Sequence, residues 1–441
     1  MTHRLPLGPM AVVVAALVTG LVGSFLVGAF APEITADLGT GPAVIGRAVS
    51  AFFLTAAVSS VFGGRIVDRV GARTGYRMGL AAVATSGLVA GLLVRSGWQL
   101  VAALAIGGAA IAFIDPSIAR TITGSVDRSR QGIAFGVKET AVAVASMTAG
   151  FALPLLAGRA TWQVPFLAIA VVAVMLALVI PAGIDPGHRP VASTPPLAVP
   201  DPPAPHPAAP SATEVATDPQ HEPAAAARPR PVVVPVVPGR PGRALALLAV
   251  SAGLAGGAGA VVATYLVTAG VSAGLASGSA ALLLSLGSIV SIGVRLAAGW
   301  QADRLPRGPL PLLAGLLVAG AVGVASLALA ASLAAGAGTE VAATPGVVVL
   351  LLAVGAVLAL GPGWGWSALV FLVAVRFVPG RPAQASGAML AGLGGGGAVF
   401  PLLAGILIER VGFVTTWSAV AACMALAAAL AILLHRRTQP G

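Results

Sequence analysis

Charged residues are scarce in this 441-residue chain, where Asp, Glu, Lys and Arg make up only 9% of the sequence. A soluble globular domain carries about 25% of these residues, so the composition excludes a soluble globule. Lysine is nearly absent, because Lys138 is the only lysine among 25 basic residues. The chain is 57% hydrophobic with a mean hydropathy of +0.97, which is typical of a protein embedded in a membrane.

Residues that bind metals or act as nucleophiles are equally few. The single cysteine, Cys423, excludes an intramolecular disulfide and a cysteine-based metal cluster. The histidines all lie outside the apolar segments, so neither an embedded haem nor a histidine-ligated metal is expected; they are His3, His188, His206, His221 and His435. The apolar segments carry no Ser/His/Asp set and no ATP-binding motif. The sequence therefore predicts no enzyme, no cofactor and no metal site.

Twelve apolar segments alternate with short polar turns. An α-helix needs about 20 residues to cross the hydrocarbon core of a bilayer. Its backbone polar groups must also be satisfied internally, so each segment is predicted to be a spanning helix. The segments are residues 9–30, 43–64, 77–95, 98–122, 131–157, 163–183, 244–270, 276–299, 309–333, 346–375, 382–408 and 412–434. The predicted fold class is an all-α membrane protein with 12 transmembrane helices.

Basic residues are distributed unevenly between the turns. The formal net charge of +11 does not indicate nucleic-acid binding, because the basic residues lie in short turns between apolar segments. With the N-terminus inside, eighteen of the 25 basic residues fall on the cytoplasmic side, which is the bias that orients membrane helices. We therefore expect a multi-pass protein of the plasma (cytoplasmic) membrane with both termini in the cytoplasm.

Residues 184–242 differ in composition from the rest of the chain. They are rich in Pro and Ala with scattered charges, and such a segment cannot bury a core. We expect a disordered cytoplasmic linker that acts as a tether, with a Pro-rich ligand for a partner protein as the open alternative. The linker separates an N-terminal six-helix bundle, residues 1–183, from a C-terminal six-helix bundle, residues 243–441.

The same charged signature follows one apolar segment in each half. Its residues are Gly64, Asp68, Arg69, Gly71 and Arg73 after the second segment, and Gly299, Asp303 and Arg304 after the eighth. The surroundings of Pro154 in the fifth segment recur around Pro401 in the eleventh. A repeat of this kind indicates a duplicated membrane protein, and duplicated multi-span membrane proteins are usually transporters.

These signatures resemble the loop motif of the major facilitator superfamily, although Ala72 stands where that family usually has a basic residue. The resemblance extends over nearly the whole chain. It implies two pseudo-symmetric six-helix bundles around a central cavity, which work by rocker-switch alternating access. It also implies that Asp68 helps to hold one global state; a topological anchor with solvated charges is the alternative.

Ionisable side chains inside a membrane span are costly, so each is a candidate functional residue. The set is Asp115, Arg120, Lys138, Glu139 and Arg295. Alternatives remain open, because Asp115 before a proline fits a helix N-cap, Arg120 fits the cytoplasmic end of its span, and Lys138 fits a snorkelling side chain. Lys138 and Glu139 point about 100° apart and are not expected to pair. The resemblance places the fifth and eighth helices side by side, so Lys138, Glu139 and Arg295 are predicted to converge.

Aromatic residues in two of the spans are further candidates for substrate contact. Trp364 and Trp366 lie in a Gly- and Pro-rich stretch of the tenth span, where an unwound backbone is tolerated only beside a cavity or within protein. Tyr265 in the seventh span is similar. The resemblance places the first, fourth, seventh and tenth helices around the cavity, and core packing is the alternative role.

Charge within the spans suggests a class of substrate. Arg120, Lys138 and Arg295 are three cations facing two carboxylates, and an unpaired buried cation needs an anionic partner. We therefore predict a small anionic substrate, such as a carboxylate or an inorganic oxyanion, with Asp115 or Glu139 carrying a coupling proton. The alternative is a structural Glu139–Arg295 pair, which leaves the substrate unconstrained.

Two other functions stay open at this point. One is a proton-driven drug or metabolite efflux pump, although only Pro154 and Gly158 of the fifth span fit the antiporter motif of the resembled family. The other is a membrane sensor that does not transport. The expected partners are the lipid bilayer, a small-molecule substrate and protons as coupling ion, with no nucleic acid, and the chain is expected to act as a monomer.

Overall fold

The computed structural model describes residues 7–127, 131–156, 159–184, 241–302, 309–336, 344–378 and 382–438. Almost all of the predicted linker, residues 184–242, lies outside these ranges, as do Asp303 and Arg304 of the second charged signature. Within the described ranges all regular secondary structure is helical. The predicted all-α fold class is confirmed.

The first half consists of long apolar helices joined by short turns. They are α1 (Leu7–Ala29), α2 (Ala31–Leu38), α3 (Pro42–Val70), α4 (Ala72–Leu88), α5 (Gly97–Ser125), α6 (Gln131–Leu156) and α7 (Gln163–Val179). A π-helical turn, Val89–Leu93, extends α4, and a short 3-10 turn, Ala182–Ile184, follows α7. Proline begins α3, where its missing N–H costs no hydrogen bond.

The second half repeats this plan with one interrupted helix. Its helices are α8 (Pro241–Ser272), α9 (Ser277–Ala302), α10 (Leu310–Ala335), α11 (Pro345–Leu360), α12 (Pro362–Gly365), α13 (Ser367–Phe377) and α14 (Pro382–Thr438). Helices α11 to α13 form the predicted tenth span, which breaks at Gly361 and Pro362. The break agrees with the prediction that Gly and Pro unwind this span.

Twelve membrane crossings follow from these helices. Ten helices of the described residues are long and apolar enough to cross a membrane, and Gln163–Val179 is a shorter apolar helix. One of the ten, Gln384–Arg437, has 54 residues and turns back at Gly412, so it provides two crossings of about 20 residues each. The ten long helices, the shorter helix Gln163–Val179 and the second crossing within α14 together give the twelve crossings that the sequence predicts.

Glycines with positive φ lie at several joints between consecutive helices, and two of them, Gly71 and Gly412, join spans with no further loop residue. Gly71 separates α3 from α4 with φ 87° and ψ 163°, and Gly412 interrupts α14 with φ 78° and ψ −178°. Residues with a Cβ atom rarely adopt this combination, whereas glycine adopts it readily. Gly71 of the first signature is therefore required by its backbone conformation.

The two halves pack against each other along two helix pairs, α6 with α9 and α3 with α14. Small residues allow these close approaches, as they do in membrane proteins generally. A Cβ atom on Gly150 of α6 would meet the Ser285 side chain of α9, and one on Gly46 of α3 would meet the Pro401 carbonyl of α14.

We call the end of the molecule where α3 begins the Pro42 end, and the end where α3 finishes the Asp68 end.

Candidate functional site

Four charged side chains form one chain across the interior. The Lys138 ammonium lies 2.7 Å from an Asp115 carboxylate oxygen and 3.8 Å from a Glu139 carboxylate oxygen. The other Glu139 oxygen lies 3.6 Å from Nη1 of Arg295. The order Asp115–Lys138–Glu139–Arg295 runs from α5 through α6 to α9, so it passes from the first half of the protein into the second. We call these four residues the ionic chain.

Helix α5 brings Asp115 to this chain without breaking. It is helical from Gly97 to Ser125 with Pro116 inside it, so Asp115 lies within the helix and is not the N-cap of a restarted one. The expectation that Lys138 and Glu139 would not pair is wrong, because the Lys138 ammonium lies 3.8 Å from a Glu139 carboxylate oxygen. Neighbouring side chains leave a helix in different directions, but the flexible lysine stem bends back to bring its ammonium near both carboxylates.

Arg295 is the most enclosed member of the ionic chain. The residue is 4% exposed, and its guanidinium donates hydrogen bonds to the Glu139 carbonyl at 2.9 Å, to Ser367 Oγ at 2.6 Å and to the Trp364 carbonyl at 2.9 Å. The carbonyl of Trp364 belongs to the broken tenth span, where the interruption at Pro362 leaves backbone acceptors for side chains. Arg295 therefore fastens α9 to α6, α12 and α13.

Several serines beside Arg295 were not predicted to take part. Ser367 donates a hydrogen bond to the Glu139 carboxylate at 3.3 Å, and Ser291 accepts one from Arg295 Nε at 3.4 Å. Farther along the same interface, the hydroxyl groups of Ser288 and Ser146 lie 2.9 Å apart, joining α9 to α6. A serine face on α9 was the available signal, since a helix buried in lipid has little other use for aligned hydroxyl groups.

The three aromatic candidates occupy different positions. Trp364 is half-buried, and its ring meets Phe25 of α1 edge to face with centroids 5.7 Å apart, so it lies between the halves. Trp366 is 1% exposed and donates its indole N–H to the Gly363 carbonyl at 2.7 Å. Trp364 therefore contacts the first half, whereas Trp366 is enclosed within the second half.

Tyr265 lies at the Pro42 end, where it joins the two halves. Its side chain is fully buried, and its hydroxyl lies 3.0 Å from the Pro42 carbonyl of α3 and 3.1 Å from the Pro401 carbonyl of α14. Beside it, Glu409 of α14 accepts a hydrogen bond from the Ala43 amide at 2.8 Å, so a carboxylate of one half caps a helix of the other. We call Tyr265 and Glu409, with these partners, the clasp. The sequence analysis missed Glu409.

The charged signature lies at the Asp68 end, away from the ionic chain. Asp68 and Arg69 are exposed, Arg73 and Gly64 are partly exposed, and Gly71 forms the turn described above. Arg120 lies here as well, because its Nη1 donates to the Asp68 carbonyl at 3.4 Å. In the second signature only Gly299 is described, and a Cβ atom on it would have open space.

The position of Arg120 changes the charge count of the interior. The sequence analysis counted three cations against two carboxylates, but the Arg120 guanidinium contacts the Asp68 carbonyl at the Asp68 end. Lys138 and Arg295 remain, and each lies within 4 Å of a carboxylate. An excess of positive charge therefore does not support an anionic substrate.

Comparison with known proteins agrees with this architecture. A family model described as Major Facilitator Superfamily matches residues 12–339, well over half of the chain. An uncharacterized MFS-type transporter of Mycobacterium tuberculosis is 32% identical over 132 residues, which are 30% of this chain and only 23% of that protein's length.

Solved structures share the fold over the whole chain. A bacterial homolog of the human lysosomal transporter Spinster, inward-facing and occupied, has a TM-score of 0.65 and 13% identity, covering 99% of this chain and 98% of that one. The nucleoside transporter NupG has a TM-score of 0.63 and 15% identity over 98% of this chain and 100% of that one. A D-xylose-proton symporter has a TM-score of 0.62 and 13% identity over 98% of this chain and 97% of that one. With this family match and this fold, the chain belongs to the major facilitator superfamily.

Proposed function

We propose that this transporter moves a small anion together with a proton, by rocker-switch alternating access between its two halves. The observation that carries the proposal is the position of the Lys138 ammonium between the carboxylates of Asp115 and Glu139. The Lys138 and Asp115 side chains are 14% and 28% exposed, so a solute and a proton can reach them. Arg295, at 2% side-chain exposure, is enclosed and serves another role.

An exchange of partners at Lys138 links the anion to the proton. While Asp115 is ionised, it neutralises the lysine at 2.7 Å and excludes another anion by charge repulsion. Protonation of Asp115 removes that negative charge and frees the ammonium for a carboxylate or an oxyanion. The site then returns to its former net charge with one anion and one proton bound. This argument needs no excess of cations, so it replaces the charge count that first suggested an anion.

The rest of the ionic chain carries this change to the interface between the halves. Glu139 contacts both Lys138 and Arg295, and Arg295 belongs to the other half. When Lys138 turns to a bound anion, Glu139 loses a counter-charge on one side and strengthens its interaction with Arg295 on the other. A ligand can shift a conformational equilibrium only by such a difference in interaction energy between the two states.

The test is transport in proteoliposomes with a carboxylate and an oxyanion panel under an imposed pH gradient. Asp115→Asn mimics the protonated residue, so we expect anion exchange between the two sides to persist while proton-driven accumulation is lost. Asp127→Asn is the matched control, because Asp127 is exposed at the Asp68 end and its variant should accumulate substrate normally. Undiminished proton-driven accumulation in Asp115→Asn would contradict the proposal, and uptake of only hydrophobic cations would favour drug efflux instead.

We further propose that the transporter resides in the cytoplasmic membrane, with both termini and residues 184–242 on the cytoplasmic side and two six-helix bundles joined by that linker. The excess of arginine on this side supports the orientation. With Cys423 replaced, a cysteine at Arg437 should react only with reagent supplied from the cytoplasm, and one at Arg95 only with reagent supplied from outside. The reverse pattern would invert the topology.

A further inference from the structure

A cavity at the Pro42 end lies outside both the ionic chain and the clasp. Its volume is 220 Å³, and it is lined by Thr40, Val44, Arg47, Gly97, Trp98 and Val101. A single water needs only about 15 Å³ of such space, so the cavity admits a chemical group of several atoms. It lies between the first turns of α3 and α5, and we call it the Arg47 cavity.

Arg47 is the one charged residue among those that line this cavity. The Arg47 guanidinium carbon lies 5.9 Å from the centroid of the Trp98 ring, and the guanidinium has no hydrogen bond or ion pair to the described residues. Helix α5 begins here with no side-chain cap, so its first amides add positive potential. Thr40 also lines the cavity, and its Oγ1 has no hydrogen-bond partner among the described residues.

The position of the cavity corresponds to the head-group region of a bilayer. Thr40 precedes α3, and Trp98 is the second residue of α5, so both mark the ends of apolar spans. Trp98 is 72% exposed, as expected for an indole of the interfacial aromatic belt. Arg47 lies about 8 Å farther into its span, counting about 1.5 Å per residue, and its side chain leans back toward the helix N-terminus and the interface.

We propose that the Arg47 cavity binds the phosphate of an anionic phospholipid head group. The guanidinium and the start of α5 hold the phosphate, Thr40 donates a hydrogen bond to it, and Val44 and Val101 form an apolar wall for the glycerol and the first acyl carbons. This wall favours a lipid over free inorganic phosphate, which has no apolar part. Because Thr40 is three residues from Ala43, whose amide Glu409 caps, a bound lipid also steadies the clasp from its outer side.

The experiment is native mass spectrometry of delipidated protein supplied with phosphatidylglycerol, phosphatidylcholine or inorganic phosphate. We expect wild type to retain one phosphatidylglycerol at least fivefold more often than phosphatidylcholine. Arg47→Gln should abolish this preference, while Arg47→Lys should keep part of it. Arg95→Gln is the matched control, since it removes one exposed arginine from the same end but does not line the cavity, and it should behave as wild type.

Two outcomes of this experiment would overturn the proposal. Equal retention of phosphatidylglycerol by wild type and Arg47→Gln would mean that the lipid binds elsewhere. Retention of inorganic phosphate in an Arg47-dependent manner, without retention of phosphatidylglycerol, would mean that the cavity takes a soluble anion. Arg47 is exposed, so its variants should elute as folded protein, and Trp98→Ala gives an independent variant that should weaken lipid retention.

Discussion

Removing the guanidinium of Arg295 tests whether the ionic chain fastens the two halves together. Arg295→Gln deletes three short hydrogen bonds, to the Glu139 carbonyl, Ser367 and the Trp364 carbonyl, and leaves the Glu139 carboxylate without its charged partner in the second half. Breaking a buried charge pair by removing one partner costs about 3–5 kcal/mol. We expect Arg295→Gln to lie at the lower end of this range, because Lys138 still lies 3.8 Å from Glu139.

The matching change, Glu139→Gln, should cost less. The Glu139 carbonyl remains in place, so Arg295 keeps all three hydrogen bonds and loses only the carboxylate 3.6 Å away. That loss corresponds to about 1–3 kcal/mol. The double variant removes both charges, so neither Arg295 nor Glu139 remains as a charge without its partner. Its loss of unfolding free energy should therefore be smaller than the sum of the two single-variant losses by about 1–3 kcal/mol.

The assay is reversible unfolding of the purified protein in mixed micelles, with transport measured on the same four proteins. The single variants should lose stability and transport. The double variant should recover much of the stability, but its proton-coupled transport should stay low, because Glu139 and Arg295 no longer carry the change at Lys138 to the second half. Arg295→Gln combined with Arg95→Gln is the control, and its costs should add, since Arg95 shares no partner with Arg295. If the loss of unfolding free energy in the double variant equals the sum of the Arg295→Gln and Glu139→Gln losses within about 0.5 kcal/mol, the two residues are not coupled.

Two further predictions concern the clasp and the first signature. Tyr265→Phe removes a hydroxyl that joins the halves, so a distance label across the Pro42 end should show a larger open population; Tyr76→Phe is the control, because the Tyr76 hydroxyl bonds Thr121 within the first half. No difference between the two tyrosine variants would mean that the clasp does not hold this end closed. Gly71→Ala should lower the free energy of unfolding by about 1–3 kcal/mol because of its φ of 87°. Gly64→Ala should be nearly neutral, since a Cβ atom there meets nothing within 4 Å, and equal costs would show that the strain argument is wrong.

The membrane spans of this protein could be predicted from the sequence, whereas most of its side-chain contacts could not. Hydropathy alone placed twelve crossings, because a bilayer requires a long apolar run for each. The meeting of Glu139 and Arg295 was predicted from the family resemblance, which places their two helices side by side, together with their comparable distances from the same end of those helices. Their hydrogen bonds could not be predicted in this way, because Ser291 and Ser367 resemble any other serine on a membrane helix.

Two residues show where reasoning from position fails. Arg120 was grouped with the interior charges, but α5 continues as a helix past Pro116, and five residues at about 1.5 Å each carry Arg120 about 7.5 Å beyond Asp115. Glu409 was overlooked because a carboxylate near a turn resembles a solvated anchor. Its partner, the Ala43 amide, is 366 residues away in the chain, and only the packing of α3 on α14 brings the two together.

The central claim, that Lys138 exchanges Asp115 for an anion when Asp115 is protonated, is tested most directly by proton uptake on ligand binding. Purified protein in weakly buffered detergent solution is mixed with a carboxylate or oxyanion that it binds, and the pH change is recorded. The account predicts uptake of about one proton per anion, with affinity rising as the pH falls, since linkage between the two ligands is reciprocal. It also predicts that Asp115→Asn binds the anion without proton uptake. Anion binding by wild type with no proton uptake, or unchanged uptake in Asp115→Asn, would contradict it.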